Sequence, residues 1–173
     1  LIKIVFQTRK AEEIVTSVRS YAKEQKLKKS PLSVNEVVTE AVKDFTSTLQ
    51  DYPLQIEFEE DPRSPICSLA PLEFELAVFN LLKNAKEALK AQKADEPKLF
   101  IKLSSSETHC FVDISDNGAV ISDSDFERMG SVFKSGKASG LGIGLSIVRS
   151  IVQNHNGSLV LERGKNGGFV CRT

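Results

Sequence analysis

Hydrophobic residues at the start of the chain follow the alternating three- and four-residue spacing of an amphipathic helix. This spacing predicts one helix over residues 1–28, with a seam formed by Leu1, Ile4, Ala11, Val15, Val18 and Ala22. The helix either docks on its own domain or pairs with a partner chain. Pairing is favoured because the basic run Lys23–Lys29 and Pro31 separate the helix from the rest of the chain.

From Ser33 onward, helical and strand periodicities follow each other along the chain. The three expected helices are one opened by a capping box of Ser33 and Glu36, one from Pro71 to about Ala91, and one from about Leu141 to Asn154. Strands are expected near Leu54–Phe58, Lys98–Ser104, Cys110–Ser115, Ser158–Arg163 and Gly168–Arg172, the last two as a hairpin, with an irregular stretch over Asn117–Ser139. This order predicts an α+β fold: a mixed, mostly antiparallel sheet covered on one face by three helices, plus the N-terminal amphipathic helix.

Composition narrows the class of protein. The chain has 173 residues, 23 basic and 23 acidic side chains and 40% hydrophobic residues, as in ordinary soluble globular proteins. No run approaches the ~18 apolar residues of a membrane span. Cys67, Cys110 and Cys171 are odd in number and far apart, which suggests neither a disulfide framework nor a zinc site and favours a reducing, cytoplasmic compartment. Residues 1–30 carry 8 basic and 3 acidic side chains, too small a bias for a nucleic-acid-binding surface.

Two asparagines in the long predicted helix are the first candidates for chemistry. Asn80 and Asn84 are four residues apart, so both amides project from one helical face, beside the small Ala85 and Ala88. An amide oxygen is a hard ligand that suits Mg²⁺, which takes its other ligands from water and substrate phosphates. The alternative is an ordinary solvated helix surface.

Two glycine-containing segments add to this pattern. Asp116 ends a predicted strand just before Gly118, where a carboxylate can accept a hydrogen bond from the exocyclic amine of adenine; the alternative is a simple turn. Gly140, Gly142 and Gly144 stand at every second position where the last helix begins. Their backbone N–H groups can approach phosphate closely at a helix N-terminus. The segment lacks the Lys-Ser/Thr ending of a P-loop.

In this order, the three segments resemble the catalytic, ATP-binding domain of sensor histidine kinases, which shares its Bergerat fold with gyrase, the Hsp90 chaperones and the MutL repair proteins. The likeness covers about residues 33–173. Asn80–Ala88 looks like the family's N box, Asp116–Gly118 like its first glycine box, Phe133–Lys137 like a remnant of its F box, and Gly140–Arg149 like its second glycine box. The residues of Gly140–Arg149 and of Asn84–Ala88 are most similar to those of the nitrogen-regulation, oxygen-sensing and dicarboxylate-sensing branch.

The resemblance implies that ATP and Mg²⁺ are the ligands. Asn84 would coordinate Mg²⁺, Asn80 would lie beside it, and Asp116 would hold the adenine amine. Lys137 would reach the γ-phosphate, so Asn80 and Lys137 are the catalytic candidates. Further contacts to the nucleotide are implied for Ala88, Gly118, Gly140, Leu141, Gly142, Ile143, Gly144 and Leu145. Hydrolytic relatives have glutamate at the position of Asn80, so slow hydrolysis and transfer of the γ-phosphate to a protein histidine are expected.

Val120, Gly130, Val132 and Lys134 depart from the family pattern, and the β-branched Val120 does not readily adopt a positive φ. These departures support an alternative, a degenerate nucleotide-binding or protein-interaction module without kinase activity. A third hypothesis, an ATPase or serine kinase of the same superfamily, is disfavoured by Asn80.

The resemblance also implies how the chain is organised. Residues 1–30 would be the end of a dimerisation domain with its linker, and residues 31–173 the catalytic domain. The implied partners are a second copy, paired through the N-terminal helix, and the receiver domain of a response regulator; membrane contact would come only from segments outside this chain. His109, in a predicted strand, and His155, after the third helix, lie outside any acidic helical motif. The phosphorylated histidine is therefore expected upstream of Leu1.

Overall fold

Three helices and seven strands make up the part of the chain described by the computed structural model, residues 28–119, 143–163 and 169–172. The helices are α1 (Val34–Ser47), α2 (Pro71–Gln92) and α3 (Ile143–Asn154). The strands are β1 (Ser30–Ser33), β2 (Gln55–Glu59), β3 (Ile66–Leu69), β4 (Lys98–Ser105), β5 (Cys110–Asp116), β6 (Val160–Arg163) and β7 (Phe169–Arg172). The predicted N-terminal helix, apart from residue 28, and most of the predicted irregular stretch lie outside these ranges.

The first two helices begin where local chemistry predicts. The Oγ of Ser33 accepts a hydrogen bond from the N–H of Glu36 at 3.4 Å, as the capping box requires. Pro71 opens α2 because its fixed φ suits a first helical position and its missing N–H is not needed there. The helix ends at Lys93, whose left-handed φ of 51° stops the helical repeat.

The main sheet has five strands in the order β2-β4-β5-β7-β6. The β2–β4 pair is parallel and the other three pairs are antiparallel, which confirms the predicted mixed, mostly antiparallel sheet. The β6–β7 hairpin was also predicted. A separate antiparallel pair of β1 and β3 was not predicted. β1 contains Pro31, β3 follows Pro65, and these four-residue strands show no clear apolar alternation.

The hydrophobic core lies between the sheet and the three helices. Its sheet side consists of alternate, fully buried residues of the two central strands: Leu99, Ile101, Leu103, Val112 and Ile114. The middle helix, α2, packs against both α1 and α3 and lies over β4 and β5. None of the helices in the described ranges is long and apolar enough to span a membrane. This arrangement sets one face of α2 between the start of α3 and the end of β5.

Candidate functional site

The site is organised along one face of α2. Asn80, Asn84, Ala88 and Gln92 are spaced four residues apart, so they form a continuous ridge on the helix surface, here called the α2 row. The ridge extends about 18 Å along the helix axis at 1.5 Å per residue. Asn80, Asn84 and Ala88 are half-buried and Gln92 is exposed. The two ends of the α2 row contact two different glycines.

At the first end, Gly144 lies directly against both asparagine amides. A Cβ atom on Gly144 would lie 3.5 Å from Asn84 Nδ2 and 3.6 Å from the Oδ1 atoms of Asn80 and Asn84. Gly144 belongs to the first turn of α3, where backbone N–H groups have no partner within the helix. Residues 60 positions apart in sequence thus meet, as the resemblance implied.

The two amides differ in their bonding. Asn80 Nδ2 donates to the carbonyl of Leu76 at 2.8 Å, which holds the side chain in place while Oδ1 faces Gly144. Among the described residues, the side chain of Asn84 has no hydrogen-bond partner, so none of these residues competes with a ligand for its amide oxygen. This asymmetry suits one amide that binds a ligand and one that stays fixed beside it.

The donor set at this end suits a hard cation shared with a substrate. Within residues 28–119, 143–163 and 169–172, no group of three or more His, Cys, Asp or Glu side chains is arranged to hold a metal ion. An ion at Asn84 would therefore take most of its ligands from water and from a bound anion, which is how Mg²⁺ binds with phosphates. The amide oxygens of Asn80 and Asn84, both next to Gly144, fit such an ion.

At the other end, Asp116 is the last residue of β5 and is only 6% exposed. Its Oδ1 accepts the N–H of Gly118 at 2.8 Å, and Gln92 Oε1 accepts the N–H of Ala119 at 2.6 Å. A Cβ on Gly118 would lie 2.7 Å from Asp116 Oδ1 and closer still to Gln92 Oε1. A side chain at position 118 would therefore displace the Gln92 amide or the Asp116 carboxylate.

The turn after β5 is fixed by Asn117. Its Oδ1 accepts the N–H of Lys98 and its Nδ2 donates to the carbonyl of Glu96, both at 2.8 Å. These bonds hold the segment that follows Asp116 against the start of β4. A cavity of about 460 Å³ opens beside it, lined by Gln92, Ala94, Asp95, Glu96, Asn117, Gly118 and Ala119.

Sequence reasoning missed two residues that shape the site. Gln92 continues the four-residue spacing of Asn84 and Ala88, and Asn117 stands inside the Asp-Asn-Gly segment, so each had a local signal. The partner of Gln92, Ala119, and the partner of Asn117, the N–H of Lys98, could not be predicted from residue spacing.

The remaining predicted site residues divide into two groups. Ile143 and Leu145 lie in the first turn of α3, and Leu145 packs on the core. Lys137, Gly140, Leu141 and Gly142, together with the departures from Val120 to Lys134, lie outside the described residues. Ala85 packs against the core, so of the two small residues beside the asparagines only Ala88 belongs to the α2 row.

The two histidines occupy structural positions away from the α2 row. His155 Nε2 accepts the N–H of Ala70 at 3.0 Å and its Nδ1 contacts the carbonyl of Ile151 at 2.8 Å, so both ring nitrogens are occupied. His109 is exposed and stacks on Phe111. It lies in the turn before β5, so the expectation that it sits within a strand was wrong: the turn is closed by hydrogen bonds between Ser106 and His109.

The sequence was compared with families of known proteins and with curated relatives. The family described as histidine kinase-, DNA gyrase B- and HSP90-like ATPase matches residues 70–173. The C4-dicarboxylate transport sensor protein DctS of Rhodobacter capsulatus is 27% identical over 168 residues, which cover 97% of this chain and 26% of DctS. The chain spans about a quarter to a third of the length of the curated relatives it matches.

Solved structures share the fold. The catalytic domain of the histidine kinase ThkA superposes with a TM-score of 0.71 at 25% identity, covering 83% of this chain and 93% of that domain. A structure of ThkA in complex with the response regulator protein TrrA superposes with a TM-score of 0.74 at 23% identity, covering 98% of this chain and 48% of ThkA.

Proposed function

The chain belongs to the family of histidine kinase-, DNA gyrase B- and HSP90-like ATPases, and on that premise we propose that it is the ATP-binding catalytic domain of a sensor histidine kinase. This membership confirms the resemblance predicted from the three segments, and it implies ATP as the nucleotide. The proposal adds the reaction, the metal ion and the roles of individual residues.

One observation carries the proposal: the α2 row contacts Gly144 at one end and Gly118 at the other, and the chemical groups at the two ends differ. Its Asn80–Asn84 end lies under the first turn of α3 and offers amide oxygens. The N–H groups of that turn have no partners within the helix, and together these groups suit phosphates with a cation. Its Gln92 end meets a buried carboxylate, which suits a base with an exocyclic amine. Asn84 and Gln92 are about 12 Å apart along the axis, so one extended nucleotide reaches both ends.

Asp116 selects the base in this proposal. Its carboxylate accepts a hydrogen bond from the adenine amine, whereas guanine presents a carbonyl oxygen at that position. Two facing acceptors cannot form that hydrogen bond, and its loss costs about 1–3 kcal/mol. Binding of ATP is therefore expected to be about 5- to 150-fold tighter than binding of GTP.

Asn84 would hold Mg²⁺ at the phosphate end, with Asn80 fixed beside it by its bond to Leu76. Bound Mg²⁺ neutralises charge on the phosphate oxygens. The N–H groups of the first turn of α3 orient the same oxygens. Lys137, outside the described residues, is assigned to the γ-phosphate in this proposal from the resemblance alone. Asn80 cannot accept a proton from water, so the site favours phosphoryl transfer over hydrolysis.

The acceptor is a histidine of the parent protein upstream of Leu1. Its imidazole nitrogen forms a bond to the γ-phosphorus as the bond to the β–γ bridging oxygen breaks, ADP leaves, and the ring proton passes to solvent. His155 is a poor acceptor because both its nitrogens are already engaged. In this proposal residues 1–30 belong to a dimerisation domain, residues 31–173 form the catalytic domain, and a response regulator takes the phosphoryl group from the histidine.

Calorimetric titration of the chain tests the binding site. Wild type should bind ATP more tightly with Mg²⁺ than with EDTA. Asn84→Leu, which keeps the side-chain volume but removes the ligand atom, should lose most of that difference. Gln153→Leu removes an exposed amide from α3 and should change nothing. Equal metal dependence in wild type and Asn84→Leu would remove Asn84 from the site.

Phosphotransfer is tested with a longer chain that includes the segment before Leu1. With ATP labelled on the γ-phosphate, it should acquire an acid-labile, alkali-stable phosphoryl group on an upstream histidine, while residues 1–173 alone acquire none. Rapid release of inorganic phosphate without a phosphorylated protein would instead favour an ATPase.

A further inference from the structure

Two cysteines that are far apart in sequence meet at the end of the sheet remote from Asp116. The Sγ atoms of Cys67 and Cys110 are 2.8 Å apart, although 43 positions separate the residues. Both side chains are half-buried, pack against the core and are free thiols. Cys67 lies in β3 opposite Leu32, and Cys110 is the first residue of β5, opposite Ser105.

Neighbouring contacts hold the two strands together without the sulfur atoms. Asp61, in the loop between β2 and β3, is 2% exposed and accepts hydrogen bonds from the Ser105 hydroxyl and, at 2.9 Å, from the N–H of Arg63. The same loop is tied to the end of β1 by a 3.0 Å contact between the hydroxyls of Ser33 and Ser64. These contacts fix β3 against the β4–β5 hairpin, so the thiols face each other in the native fold.

The distance between the sulfurs is suited to a covalent bond. Non-bonded carbon atoms pack at about 3.5–4.0 Å, and the bond in a disulfide is about 2.05 Å long. Closure therefore needs the sulfurs to approach by less than about 1 Å, which small side-chain rotations supply. A loop closed over this many residues also restricts the unfolded chain strongly.

The geometry points to Cys67 and Cys110 as a site of reversible oxidation, at which a peroxide-class oxidant forms an intramolecular disulfide. The sulfur of Cys67 attacks one peroxide oxygen, the O–O bond breaks, and water and a sulfenic acid result. The sulfur of Cys110 then attacks that sulfenic sulfur, the S–S bond forms and a second water leaves. Overall, two thiols are oxidised and one hydrogen peroxide is reduced to two waters.

The order of attack follows from the surroundings of Cys110. Burial, followed by its contact with Cys67, raises the pKa of the Cys110 thiol to about 12. Cys110 therefore stays protonated at neutral pH and reacts poorly with peroxide from solution, because the thiolate is the reactive form. It attacks only the sulfenic sulfur held against it, and its proton leaves with the departing hydroxyl as water. Cys67 is therefore the cysteine expected to react first with the peroxide.

The disulfide would tie the β1–β3 pair, which leads into α1, to the central strand β5. Asp116 lies six residues further along β5, about 20 Å away at 3.4 Å per residue. Oxidation should therefore change ATP affinity less than about twofold. The melting temperature should rise by roughly 5–15 °C. Both expectations are independent of how the proposed kinase reaction proceeds.

The test is oxidation of the folded chain with stoichiometric hydrogen peroxide, followed by mass spectrometry and thiol titration without reductant. The expected result is a loss of two hydrogens, a fall from three titratable thiols to one, a linked peptide pair containing Cys67 and Cys110, and full reversal by dithiothreitol. Cys67→Ser and Cys110→Ser should each abolish the intramolecular cross-link, whereas Cys171→Ser should keep it.

Two results would overturn the inference. One is a thiol count that stays at three under conditions that oxidise a surface dithiol control peptide. The other is a cross-link that includes Cys171 or joins two chains. The serine variants differ from wild type by one atom, and their far-ultraviolet circular dichroism shows whether they are folded before oxidation is compared.

Discussion

One added methyl group at Gly118 should remove most of the nucleotide affinity of this domain. In Gly118→Ala, the new Cβ would lie 2.7 Å from Asp116 Oδ1 and closer still to Gln92 Oε1, both below the separation that real Cβ atoms show. The end of the Gln92 side chain is exposed and can move aside. Asp116 is buried at the end of β5, so its carboxylate can escape the contact only by rotating away from the base.

The size of the effect follows from the hydrogen bond that the rotated carboxylate would no longer make. A hydrogen bond to a charged group contributes about 1.5–3 kcal/mol. At 1.4 kcal/mol for each factor of ten, the dissociation constant for ATP should rise by about 10- to 150-fold. Loss of the exposed bond between Gln92 and Ala119 should add less than a further tenfold.

Titration calorimetry with ATP and Mg²⁺ on three variants separates the two contacts. Gln92→Ala alone should weaken binding only a few-fold. The double variant Gly118→Ala with Gln92→Ala should stay at least tenfold weaker than wild type, because Asp116 is still displaced. Gly157→Ala is the matched control: its Cβ would contact only Val152, away from the α2 row. Affinity within twofold of wild type for a folded Gly118→Ala chain would refute the assignment of Asp116 and Gly118 to the base.

Three further predictions concern stability, measured by urea unfolding. Hydrogen bonds from Ser105 and from the backbone N–H of Arg63 hold the pKa of Asp61 below its usual 3.8. The stability advantage of wild type over Asp61→Asn should therefore be complete above pH 3.8 and shrink as the pH falls below that value. An advantage that does not change with pH would contradict this. His155→Ala leaves the N–H of Ala70, the residue just before α2, without its acceptor and should cost about 1–3 kcal/mol. The exposed His109→Ala should stay within about 0.5 kcal/mol, and equal effects would be inconsistent with the bonding described. Lys93→Gly relieves a left-handed φ of 51° and should raise the free energy of unfolding by about 0.5–1 kcal/mol. Lys90→Gly, inside α2, should lower it by about 1 kcal/mol. Changes of the same sign in both variants would contradict this.

The sequence by itself determined the features that depend on neighbours within one or two helical turns or along one strand. The start of α1 follows from Ser33 and Glu36, and the start of α2 from Pro71, because capping and the fixed φ of proline act locally. The shared face of Asn80 and Asn84 follows from helical geometry alone. Most of the sheet was also predictable, because alternating apolar residues must face the core.

Only the tertiary structure decided which distant groups meet. Gln92 contacts Ala119 across 27 positions, and Cys67 contacts Cys110 across 43, yet neither spacing carries a periodic signal. The β1–β3 pair was missed for the same reason, since each strand is too short to show a pattern and gains its stability only from its partner. Such contacts depend on the packing of α2 and on the closure of long loops, which local periodicity does not encode.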